Sequence, residues 1–198
     1  MKEYISSCKS DFWQKIFEEE IKYLTNSLDK HKKILSIGCG PGNIEYRLQK
    51  HGFDITGMDI SKKFLKEASK NVKTIVGSAE TTIFNNNEFD AVIYIVSLQF
   101  IENYEKAIEE TKRIVKPKGK VVILLLNPFS EFFKTKRKQK DSYINNIKNE
   151  NINKITKTLS DYFTIDKKGY YLGVKKDKIF KSKNKNSAIL YIIEGVKE

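Results

Sequence analysis

Ten residues, Ile34 to Asn43 (ILSIGCGPGN), leave this chain few ways to fold. A short run of β formers enters Gly38-x-Gly40-x-Gly42, and a helical pattern begins directly after it. That order predicts a buried strand, a tight glycine turn and a helix N-terminus, the central unit of an α/β domain. Glycines at such a junction let the backbone turn sharply and bring its N–H groups close to a ligand, and the helix end adds partial positive charge. An anionic part of a ligand is expected there; a plain strand-to-helix turn would leave the same trace.

A dinucleotide site would place its third glycine at position 43, which is Asn here. Downstream, a second strand (Asp54 to Met58) ends at Asp59, about 20 residues past the first motif glycine, the spacing of an acid that accepts both hydroxyls of a ribose. Ser61 caps the next helix, to Asn71, and a short strand, Lys73 to Val76, leads into Gly77-Ser78-Ala79-Glu80. Phe89-Asp90 opens a fourth strand, Ala91 to Val96, and Asn103 caps a helix that stops at Pro117 and Gly119. The fifth strand, Lys120 to Leu126, is apolar on both faces and belongs in the middle of a parallel sheet.

In this order, from Lys33 to Asn127, the chain resembles the class I S-adenosylmethionine-dependent methyltransferases. The resemblance implies a three-layer Rossmann-like α/β fold, with a seven-stranded, mostly parallel sheet closed by a C-terminal antiparallel hairpin strand. It also implies S-adenosylmethionine as cofactor and S-adenosylhomocysteine as product. Carried onto this chain, the cofactor residues would be Gly38, Cys39 and Gly40 of the turn, Asp59 and Ile60, then Ser78, Ala79 and Glu80 for the adenine, with Tyr94 and Ile95 at the end of the fourth strand. Ser78 stands where the family commonly has an acid, and its hydroxyl can still accept the adenine amino group. Ser36 stands where the family frequently has an acid that orients the turn and the cofactor's amino group, and Gln99 and Phe100 stand where it often has two histidines.

Residues 1 to 28 read as a helical lead-in capped at Asp11, with Trp13, Ile16, Phe17, Ile21 and Leu24 on one face. Relatives of this type often fold that segment over the acceptor, so Tyr4 and Trp13 join Gln99, Phe100, Asn127, Phe129 and Tyr143 as candidate substrate contacts; core packing is the competing role for Trp13. Residues 129 to 159 form a partly helical substrate cap or a solvated charged helix, and Tyr162 to Tyr171 and Ser187 to Val196 alternate as two closing strands. His31 and His51 precede strands, away from the ligand-binding edge, so no catalytic histidine is expected.

At 198 residues, with 39% hydrophobic, the chain is read as one domain with a substantial core. Its longest apolar run, Val121 to Leu126, is too short to cross a bilayer, and no signal segment opens the chain, so a cytoplasmic protein without membrane contact is expected. Cys8 and Cys39 supply neither a disulfide framework nor a metal cluster, and no metal is expected. The net charge of +12 gathers late: residues 131–198 hold 17 Lys+Arg against 8 Asp+Glu. The expected partner is a small acceptor with an apolar body and an anionic group. A tRNA or rRNA acceptor drawn to the C-terminal lysines, and a S-adenosylmethionine-binding protein without turnover, are the alternatives.

Overall fold

The computed structural model describes residues 8, 10–68, 70–176 and 178–198. Among the described residues eight strands form one sheet, in the order β3-β2-β1-β4-β5-β8-β6-β7. They are β1 (Lys33–Ile37), β2 (Asp54–Asp59), β3 (Lys73–Val76), β4 (Phe89–Ile95), β5 (Val115–Leu126), β6 (Thr164–Lys175), β7 (Lys178–Phe180) and β8 (Ala188–Val196). The first five pair in parallel, while β8 pairs antiparallel with β5 and β6, and β6 with β7. The α/β class and the antiparallel closing pair match the expectation from sequence. The strand count is eight rather than seven, because the lysine-rich loop contributes the three-residue β7. Gly173 permits this: a Cβ there would lie 2.5 Å from the Phe180 ring.

Among the described residues six α-helices flank the sheet: α1 (Asp11–Ser27), α2 (Asn43–Lys50), α3 (Lys62–Ala68), α4 (Tyr104–Ile114), α5 (Glu131–Arg137) and α6 (Ile152–Ser160). Short 3-10 turns occupy Leu98–Phe100 and Tyr143–Asn146. Alternate residues of β5 enter opposite cores, as period-two geometry requires. Val122, Leu124 and Leu126 meet Ile16, Leu24 and Leu48 of α1 and α2, whereas Val121, Ile123 and Leu125 meet Ala107, Ile108 and Leu159 of α4 and α6. Each such burial contributes about 1.5–3 kcal/mol, so the two-sided apolar strand is held from both faces.

Several boundaries differ for local reasons. Asp11 begins α1 rather than capping it; Ser10 precedes it in extended backbone, and the Ser10 side chain makes no capping hydrogen bond. Helix α3 stops at Ala68, whose carbonyl accepts both Asn71 N and Val72 N and closes a turn. Strand β5 starts at Val115, five residues before the expected Lys120, and crosses an irregularity opposite Phe89 and Ala91. Within it Lys118 holds φ +62, in the left-handed region that favours glycine. The expected cap, 129–159, divides. Helix α5 and the 145-region turn stay on the α1 side with Phe133, Ile144 and Ile147, but α6 lies in the opposite core with Ile152, Ile155 and Leu159. Helix α6 is therefore a layer of the fold and no part of a cap.

The chain runs β1, β2, β3 toward one rim, then returns to β4 on the other side of β1. That reversal opens a crevice beyond the carboxyl ends of β1 and β4, where ligands bind in open α/β sheets.

Candidate functional site

Gly38, Gly40 and Gly42 all hold positive φ, at +74, +54 and +77. A Cβ on Gly38 would stand 2.4 Å from Ser97 Cβ, and one on Gly42 2.9 Å from Ala68 Cβ, while nothing lies within 4 Å of a Cβ on Gly40. The first and last glycines thus allow close backbone approach, and the middle one faces open space. The expected cradle of bare amides is corrected by the hydrogen bonds. Gly38 N and Cys39 N donate to Met58 O at 2.7 and 3.1 Å, Gly42 N donates to Cys39 O, and Gly40 N donates to Asp59 Oδ2 at 2.9 Å. Three of these donors hold the turn against β2 and the fourth closes the turn on itself, so none is left for a ligand.

Asp59 ends β2 half-buried, its Oδ1 accepting Ser61 N at 2.8 Å and its Oδ2 accepting Gly40 N. A carboxylate has about four acceptor positions, so each oxygen keeps one lone pair for a further donor. Ser78 Oγ accepts Glu80 N at 3.2 Å, which shapes the GSAE loop, and Glu80 Oε1 accepts Asn103 N ahead of α4. Across the reversal, Ser97 Oγ donates to Ile37 O at 2.5 Å and ties the end of β4 to β1. Beside it Val96 holds φ +51 while its N–H donates to Leu124 O at 2.8 Å. A β-branched residue in that region is strained by about 1–3 kcal/mol, and such strain collects at ligand sites.

Two cavities meet at this turn. The outer crevice, about 630 Å³, is lined by Asp59, Ile60, Ser78, Ala79, Glu80 and Phe100, among others. The inner cavity, about 110 Å³, is lined by Trp13, Phe17, Glu20, Glu45, Phe132 and Ile95, with Cys39 also on its wall. Gly38, Gly40, Val96 and Tyr143 border both. Edge-on aromatic contacts close the inner one: Trp13 lies 6.2 Å from Phe132 and 6.3 Å from Tyr143, and Phe100 stacks on Tyr143 at 6.3 Å.

Neither carboxyl of the inner cavity was marked by a motif. Glu45, 2% exposed, accepts the Ser36 hydroxyl at 2.6 Å. The acid missing from position 36 is thus replaced in space by a carboxyl from α2. Burial raises its pKa to about 7 against the opposing Ser36 hydrogen bond. Glu20, 3% exposed, is raised to about 8 by burial and then by the charge of Glu45. Both lie on the apolar stripes of their helices, Glu20 between Phe17 and Ile21 and Glu45 beside Ile44. A charge on a core-facing stripe is the signal that finds them.

Of the other expected site residues, three take structural posts. Tyr94, expected at the cofactor, has its side chain wholly buried on the opposite face, where its hydroxyl meets Thr111 Oγ1 at 2.7 Å and Ala107 O. Gln99 joins the end of β4 to β5, donating to Leu126 O at 3.2 Å and accepting Leu126 N at 2.7 Å. Asn127, fully buried, donates to Lys185 O and Ala188 O and accepts Phe129 N. Phe129 lies outside both cavities with the Lys185 ammonium 3.7 Å over its ring. Tyr4 lies outside the described residues. Burial pushes the Cys39 thiol up, away from a nucleophilic thiolate.

Among the described residues no lysine or arginine lines either cavity, so the expected anionic group of the acceptor finds no counter-charge there. No helix is long and apolar enough to cross a membrane, and no group of three His, Cys, Asp or Glu is placed to hold a metal, among those same residues.

A family profile described as a methyltransferase domain matches residues 35–123. An uncharacterized protein of Methanocaldococcus jannaschii is 35% identical over 132 residues, 65% of this chain and 62% of its own. A ubiquinone/menaquinone biosynthesis C-methyltransferase of Rickettsia felis is 28% identical, over 86% of this chain and 70% of its own. In crystal structures, a S-adenosylmethionine-dependent methyltransferase of Thermotoga maritima, described as a possible histamine N-methyltransferase, matches all of this chain and 95% of its own, with TM-score 0.82 and 17% identity. The chain spans about half to three fifths of the length of several curated relatives it matches.

Proposed function

We propose that the chain is a class I S-adenosylmethionine-dependent methyltransferase that transfers a methyl group to a small-molecule acceptor, a reading supported by the methyltransferase-domain profile over residues 35–123. The observation that carries this reading is the pair of cavities meeting at Gly38 and Gly40. The outer one fits the cofactor's nucleoside: Asp59 has a lone pair left on each oxygen for two vicinal hydroxyls, and Ile60, Phe64 and Ala79 offer apolar walls beside the GSAE loop. When bound, the cofactor supplies a methyl group on a sulfonium, already reactive. The protein's share is positioning and the exclusion of water, for which the Trp13, Phe132 and Tyr143 rings supply a dry wall.

The Rickettsia relative is named for ubiquinone and menaquinone biosynthesis, and together with the Trp13, Phe132 and Tyr143 rings this supports an acceptor with an apolar body. Two measurements test the reading. S-adenosylhomocysteine should bind the chain in calorimetry, and Asp59→Ala should weaken it at least tenfold, the scale of lost charge-assisted hydrogen bonds. Methyl-labelled cofactor incubated with a fractionated extract should place its label in low-mass products. An unchanged affinity, or label confined to RNA, would refute it.

A further inference from the structure

Beyond the carboxyl end of β5 the chain turns strongly basic. Residues 134–140, in and after α5, hold five Lys+Arg and no acid, and residues 175–185, from the end of β6 toward β8, hold six Lys and one acid. The strand register sets the second segment on the rim that carries both cavities. Leu190 of β8 pairs with Leu126 on one side and Tyr171 on the other, so residues 174–187 leave and rejoin the sheet past the last residue of β5. The two segments are tied together. Glu131 N at the start of α5 donates to Asn186 O at 3.2 Å, and Asn127 Nδ2 donates to Lys185 O at 2.6 Å. The loop also fixes its own shape, with Asn186 N donating to Asn184 Oδ1 at 2.8 Å and Ala188 N to Asn184 O at 2.9 Å. Lys134, Lys138, Lys140, Lys181, Lys183 and Lys185 are all exposed; Lys134 also meets Glu131, and Arg137 meets Glu150. Where the segments meet, Phe129 is 42% exposed with the Lys185 ammonium over its ring, and on β7 Phe180 is exposed to a similar degree.

We propose that this basic rim docks the protein on an anionic lipid surface, the lysines meeting lipid phosphates and the Phe129 and Phe180 rings entering the headgroup layer. Surface attachment of this kind needs no spanning helix: clustered cations supply the attraction and a few exposed apolar groups supply the hold. A single-stranded nucleic acid would instead be gripped by ring faces open for stacking. Here one face of Phe129 carries an ammonium at 3.7 Å, and the Phe180 ring lies against Gly173, where a Cβ would stand 2.5 Å from it. Rings backed in this way, with ammonium groups beside them, suit an interface where one end is apolar and the other wet.

Co-sedimentation of the full chain with vesicles tests this, using phosphatidylcholine alone and phosphatidylcholine mixed about two to one with phosphatidylglycerol. The mixed vesicles should bind at least tenfold more tightly, and that gain should vanish at about 1 M salt. Each lysine near such a surface is worth roughly fivefold, so joint Lys181→Gln, Lys183→Gln and Lys185→Gln should weaken binding at least thirtyfold while leaving S-adenosylhomocysteine affinity within twofold. Lys134→Gln with Lys138→Gln and Lys140→Gln gives a second variant should the first fail to fold. Lys30, Lys32 and Lys50 stand at the amino ends of β1 and β2, and their joint change to Gln removes the same charge from the opposite rim. That variant should keep its binding within threefold. Phe129→Ser should weaken binding at least threefold without altering its salt dependence. Equal binding to both vesicle types, no binding to either, or an equal loss from the opposite-rim variant would overturn the proposal. So would an unstructured RNA bound at a salt concentration where the mixed vesicles are not, which would assign the rim to nucleic acid. S-adenosylhomocysteine binding is measured without vesicles, so its failure would strike the methyl-transfer reading alone.

Discussion

Two carboxyls buried in one cavity make the stability of this chain depend on pH above the acid range. Glu20 and Glu45 bind their protons more tightly when folded than at the ordinary value of 4.5, with folded values of about 8 and 7. The folded state therefore holds protons that the unfolded state has released, so stability is greatest at low pH within that window and falls as pH rises from about 4.5 through about 8. Glu20→Gln removes one such group. In urea unfolding it should gain on the order of 2 kcal/mol over the parent at pH 8.5 and little at pH 5; an equal change at both values would contradict the burial argument. Reading only the apolar members of the α1 stripe passes over Glu20, because pattern analysis looks for hydrophobic residues where this helix places an acid. Asp59 was legible from its distance to the first glycine, but its hold on Gly40 N was not, since backbone donors leave no mark in a sequence. The same blindness explains Gln99, Asn127 and Tyr94: a residue type and a position name a polar group, and only its neighbours say whether it faces a ligand or a strand end.

Among the elements, the join between α4 and β5 separates two kinds of constraint on neighbouring residues. Lys118 holds φ +62, and its N–H donates to Lys197 O at 2.7 Å. Glycine there would remove about 1 kcal/mol of strain but add similar freedom to the unfolded chain, so Lys118→Gly should change stability by less than about 1 kcal/mol. At Gly119 the limit is space: a Cβ would lie 2.8 Å from Asp90 O and from Lys116 O, both backbone atoms that cannot swing aside. Gly119→Ala should cost about 2 kcal/mol or more, read from the shift of the urea midpoint. The elements themselves were legible because strand and helix periods alternate cleanly from Lys33 to Leu126. The cap was not, because α5 and α6 share one polar, aromatic-bearing stretch, and which face each covers depends on partners far along the chain.

For the whole molecule, the charge of +12 and the two cavities are separate features, since among the described residues no lysine or arginine lines either one. Long-range attraction between exposed charges is screened over roughly 10 Å at 0.1 M salt. S-adenosylhomocysteine affinity should therefore change less than threefold between 50 and 200 mM salt, whereas a phosphate-tracking site would lose orders of magnitude over that range. Calorimetry at the two concentrations decides between them. Lysines stand at both rims of the sheet. Strand β3 is four residues long and begins with Lys73, and β7 is three residues long, begins with Lys178 and lies between Lys175 and Lys181. Stubby, like-charged borders offer a neighbouring polypeptide little ladder to extend and an ammonium group at the point of approach. Crowded copies of this chain are thereby kept from zipping edge to edge into fibres.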